Sequence, residues 1–133
     1  MKYPFLVLLG CVILASPTVL LAQQSPQLLI HGAMKECYEG RVAQDRTSRI
    51  GHFERGQALG ERAVALDDRS ADAHFALFCN LGELMRVDGE LNITSMMGFR
   101  RMTKELDRTL ELAPDHLDAL SAKGTFLLRL PFL

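Results

Sequence analysis

Apolar side chains return along this chain at every third or fourth position, in blocks separated by short polar turns, which is the period of amphipathic helices. Ser25-Pro26 is a helix start, with Ser as cap and Pro in the first turn. Its stripe is Ile30, Ala33/Met34, Cys37/Tyr38 and Val42. Residues 44–49 read as a turn in which Ser48 caps a second helix striped by Phe53, Leu59, Ala63 and Leu66. Gly56 and Gly60 fall on or near that face. Glycine weakens a helix, so two of them predict a close helix–helix approach. After a turn at 67–70, a helix over about 71–87 is apolar nearly all round and should be buried on several sides. Gly89 is its stop signal, and residues 91–98 read as a longer connection whose Met96-Met97 pair fills core. Phe99, Met102, Leu106, Thr109/Leu110 and Ala113 stripe a fourth helix. Its other face is charged, with Arg101 and Glu105 spaced to pair along it. Asp115 reads as the cap of a last helix carrying Leu117, Leu120, Gly124, Leu127/Leu128 and Leu130.

Two junctions between these blocks repeat. Ala63-x-x-Leu66 leads to Asp72-Ala73, and Thr109-x-x-Leu112 leads to Asp118-Ala119; Ala76 and Ala122 keep the same spacing. Regular return of a helix–turn–helix unit marks a helical repeat protein. The run from Leu110 to Gly124, with Pro114, Ala119 and Gly124 at matching positions, resembles the junction of two tetratricopeptide repeats. The run from Ala63 to Ala73 resembles it too, with Asp68 where Pro is usual and Phe78 where a small Gly is expected. The repeat is longer than the usual ~34 residues. The resemblance implies an all-α fold of antiparallel helix pairs stacked as a short solenoid. Such folds bind along a concave face. An array normally ends in a polar capping helix, so the last apolar stripe reads as the truncated end of a longer array or as a face covered by a partner. The run from Asp72 to Gly82 is also similar to the exported helical-repeat T component associated with some periplasmic TRAP transporters. That likeness implies assembly with a substrate-binding protein and contact with an apolar ligand.

The first 22 residues look like a leader. Lys2 precedes an apolar run from Phe5 to Leu21, and Ala22 is a cleavage position despite the large Leu20 before it. The reading is a signal peptide at 1–22 and a helical-repeat domain at 23–133, exported and periplasmic. Leu8-Leu9-Gly10-Cys11 resembles a lipobox, which gives a membrane-anchored lipoprotein as the alternative. Loss of Lys2 with the leader moves the net charge of −1 to −2, with both signs mixed. Nothing there suggests nucleic acid. Cys37 and Cys79 remain. Export would let them bridge, but their places on apolar stripes favour two small buried residues.

Catalytic patterns are missing from the sequence. His31, His52, His74 and His116 form no His-x-x-x-His pair, no Gly-x-Ser-x-Gly is present, and the carboxylate pairs sit where caps are expected. Asn92-Ile93-Thr94 fits a glycosylation sequon and reads as chance. The expectation is a non-catalytic scaffold with no cofactor and no metal, holding a protein segment in a groove. His74, Phe75, Phe78 and Asn80 are the candidate lining, although Phe78 suits core and His74 suits a packed, hydrogen-bonded role. The alternative function is a carrier of a small apolar ligand.

Overall fold

The computed structural model describes residues 25–88 and 93–129. The leader, Cys11, the stop at Gly89 and the sequon's Asn92 lie outside the described residues. Among the described residues every regular element is a helix: α1 Pro26–Val42, α2 Arg46–Leu66, α3 Ala71–Asp88, α4 Ile93–Leu112 and α5 Leu117–Arg129. Short links after α1, α2 and α4 reverse the chain, so neighbouring helices pack as antiparallel pairs. Each helix contacts the next, and α1 also reaches α3. The fold is an all-α stack of helix pairs.

The turns are held by local side-chain bonds. Ser25 caps α1, its Oγ accepting from Leu28 N at 3.3 Å. The spacing predicts Ser48 as the cap of α2, but the helix starts earlier. Asp45 takes that place, accepting from Ser48 N at 2.9 Å and Ser48 Oγ at 2.7 Å. Ser70 Oγ accepts from Ala73 N to start α3. At the last turn His116, not Asp115, caps the helix, its Nδ1 accepting from Ala119 N at 3.2 Å. The connection expected over 91–98 is shorter, because α4 already runs from Ile93. Met96 and Met97 are exposed on its first turns instead of filling core.

Burial on α1 follows Leu29, Ala33, Cys37 and Gly40, while Tyr38 and Val42 face out. The contact line runs along the smallest side chains because α1 packs on two helices at once. Gly40 lies under the Phe53 ring, which a β-carbon would overlap. The two glycines of α2 act in the same way. A β-carbon on Gly60 would stand 2.9 Å from Leu77 Cα, a backbone atom that cannot move aside, and one on Gly56 would overlap the Asn80 amide. These contacts bring α3 against α2 and let Ala63, Ala73 and Leu29 close one core cluster. The repeated positions Ala73 and Ala119 are both fully buried. On α5 the cover comes from α4 and the α3 phenylalanines, so Leu117, Leu127 and Leu128 remain exposed.

Candidate binding groove

The first, third and fifth helices face a common hollow of about 490 Å³. Its apolar wall is Met34 from α1, Phe75 and Phe78 from α3, and Ala122 and Phe126 from α5. The rings are fixed by one another. Phe75 stands 5.7 Å from Phe78 and 4.7 Å from the His116 ring, and Phe126 stacks on Phe99 at 5.3 Å. Centroid separations in this range are the favourable ones for aromatic pairs.

One end of the hollow is ionic. Glu83 is largely buried; its Oε1 accepts from Arg41 Nε at 2.7 Å and its Oε2 from Arg86 Nε at 2.7 Å. Arg41 Nη2 also lies 3.3 Å from Cys79 Sγ. Cys79 is bonded to Cys37 across a Cα separation of 6.3 Å, so the two cysteines are not the free apolar residues that their stripes favour. The close packing of α1 on α3, set by Ala33 and Asn80, brings them within the bridging range. At the opposite end Asp118 lies on the lining and Asp72 lies 3.4 Å from His116 Nε2.

Of the four side chains expected to line the groove, Phe75 and Phe78 do. His74 and Asn80 stand elsewhere, on the faces of α3 turned into the stack. His74 is buried, with Nε2 2.9 Å from the Asp68 carbonyl and Nδ1 2.5 Å from Glu105 Oε2. A carbonyl only accepts, so Nε2 carries its proton, and the ring ties α3 to α4. This takes Glu105 away from Arg101, which bonds Glu61 on α2 at 2.7 Å instead of pairing along its own helix. Asn80 is fully buried where three helices meet. Its Nδ2 donates to Ala33 O at 3.0 Å and Ala76 O at 2.9 Å, and its Oδ1, with no donor within reach, is turned to Gly56. Met34, Arg41 and Phe126 are lining residues that the sequence does not single out. The equal spacing of Ala76 and Ala122 is the signal that α3 and α5 present corresponding faces, and Phe126 lies one helical turn beyond Ala122.

Three carboxylates, Asp45, Glu36 and Glu61, sit below their ordinary pKa, Asp45 through the hydrogen bonds it accepts from Ser48. For Glu36, burial acts to raise it, but hydrogen bonds and charge from His52 and Arg55 prevail. For Glu61, the Gln57 amide is the main cause; burial opposes it and Arg101 adds to the lowering. None of the three lies in the groove. No helix among the described residues is long and apolar enough to cross a membrane. A scan against protein-family models, a search of curated proteins and a search of solved structures each return no match.

Proposed function

We propose that this chain is a non-catalytic helical-repeat scaffold that holds an apolar-faced segment of a partner protein between α1, α3 and α5. The observation that carries the reading is the hollow itself: an aromatic wall, open to solvent, with a fixed ion-paired end. Helix-in-groove recognition uses this combination of apolar anchors and a polar rim. The resemblance of the two junctions to tetratricopeptide repeats supports the same use of the inner helices. The Cys37–Cys79 bridge and the leader-like start support export to an oxidising compartment. The likeness to the TRAP-associated component makes a periplasmic substrate-binding protein one such partner. A carrier of a small apolar ligand is the second reading, favoured by a volume within the ~300–1,000 Å³ of ordinary ligand pockets.

Native mass spectrometry of the protein recovered from its own cell envelope tests both. The scaffold reading expects an attached polypeptide that is lost in Phe78→Ala, a half-buried position whose truncation should leave the helices folded. A retained small apolar molecule with no polypeptide establishes the carrier instead. Undiminished polypeptide capture by a folded Phe78→Ala, Phe126→Ala double variant removes the groove from the account.

A further inference from the structure

On the seam between α1 and α2, away from the groove lining, one ring nitrogen and two carboxylates converge. Glu36 and Glu39 stand three residues apart on α1 and so share a face. His52 meets them from α2. Its Nδ1 lies 2.8 Å from Glu36 Oε2 and 3.7 Å from Glu39 Oε2. One donor atom from each of the three side chains lies within 4.8 Å of the others, and all three residues are partly buried.

Arg55 supplies the telling contact. Its Nη2 lies 2.9 Å from His52 Nδ1 and 3.1 Å from Glu36 Oε2, and its Nε donates to the same oxygen at 3.2 Å. A guanidinium donates and never accepts. It stands where a metal cation would, against the two potential ligand atoms Glu36 Oε2 and His52 Nδ1. The Arg55 side chain is 56% exposed, so it can swing away.

We propose that Glu36, Glu39 and His52 form a binding site for a divalent transition-metal ion of the Zn²⁺ type, with Arg55 standing against two of the same ligand atoms in its place. Zinc bonds to nitrogen and carboxylate oxygen at about 2.0–2.2 Å, so tetrahedral ligand atoms stand roughly 3.4 Å apart. The separations of 2.8 and 3.7 Å straddle that value, and sub-ångström side-chain shifts reach it. Two carboxylates and a neutral imidazole balance the charge, and a water completes the four positions. The imidazole and the small oxygen count select against Mg²⁺ and Ca²⁺. Lys35 Nζ lies 3.8 Å from Glu39 Oε1, while the His52 ring faces the other oxygen, Oε2. A bound ion would clip α1 to α2.

The test is isothermal titration of the disulfide-intact protein, freed of metal, with ZnCl₂ in a non-chelating buffer. The expected result is one equivalent per chain. His52→Ala should weaken binding about tenfold or more, and Arg55→Ala should tighten it by removing the competing cation. Glu39→Gln is the control for folding. That carboxylate is 40% exposed and 3.7 Å from the ring, so the variant should keep its helicity and still lose affinity about tenfold. Zinc binding in His52→Ala or Glu39→Gln as tight as in the unaltered protein, no heat with the unaltered protein, or weaker binding in Arg55→Ala would each overturn the proposal.

Discussion

Reduction of the Cys37–Cys79 bridge gives the most exacting check on the packing described above. The bond closes a loop of 42 residues and joins α1 to α3 past the whole of α2. Chain-entropy loss on closing such a loop stabilises the folded state by about 4 kcal/mol at 25 °C. For a domain of this size each kcal/mol moves Tm by about 4–8 °C, so reduction should lower Tm by on the order of 15 °C or more. The assay is thermal unfolding of residues 23–133 by circular dichroism, with and without dithiothreitol. Reduction is cleaner than replacing both cysteines, because the side chains stay in place and no packing is lost with them. Hydrogen exchange should then report the loss first in α1, whose tie to α3 is cut. A Tm that does not respond to reductant would refute the reasoning, and so would titration of two free thiols in the unfolded, unreduced chain.

Three further outcomes follow from named contacts. Gly60→Ala should destabilise by about 1–3 kcal/mol in urea unfolding, because its β-carbon meets Leu77 backbone. Gly124→Ala, with nothing within 4 Å, should instead stabilise by up to about 1 kcal/mol through helix propensity; the same sign for both would contradict the close approach of α2 and α3. His74→Ala should cost about 3–5 kcal/mol by leaving the buried Glu105 carboxyl without its partner, yet leave partner capture intact once the variant is kept folded below its midpoint. The lowered pKa of Glu61 means that the unfolded chain binds its proton more readily than the folded one. Its contribution is therefore complete above the ordinary 4.5 and disappears as pH falls through the lower folded value. Solvent screening keeps it under about 1 kcal/mol. The stability difference between wild type and Glu61→Gln should shrink between pH 7 and pH 3, and a pH-independent difference would remove Glu61 from the account.

The sequence announces what depends on one helix at a time. The start at Ser25-Pro26, the turn at 67–70, the many-sided burial of α3 and the tight approach at Gly56 and Gly60 are all legible, because each follows from local chemistry or from periodicity along a single axis. What escapes depends on pairs of helices. The buried line of α1 turns from Tyr38 and Val42 to Gly40 because Phe53 of α2 needs the space that glycine leaves. Arg101 and Glu105 are spaced to pair, yet a buried imidazole and a carboxylate on α2 compete for them. The disulfide depends on the separation of α1 and α3, which no stripe encodes. His74 and Asn80 share a helix with Phe75 and Phe78 but point into the stack, so one helix of the groove was legible while the division of its faces was not.

The two ends of the hollow are chemically unlike, and this gives it a direction. At one end Glu83 is clamped between Arg41 and Arg86; at the other lie Asp118 and the Asp72–His116 contact. The aromatic wall between them accepts apolar groups in either orientation, but the terminal charges do not. A segment laid along the proposed groove would therefore be read head from tail. Two ligands with the same apolar residues in opposite order would be distinguished by the ends alone.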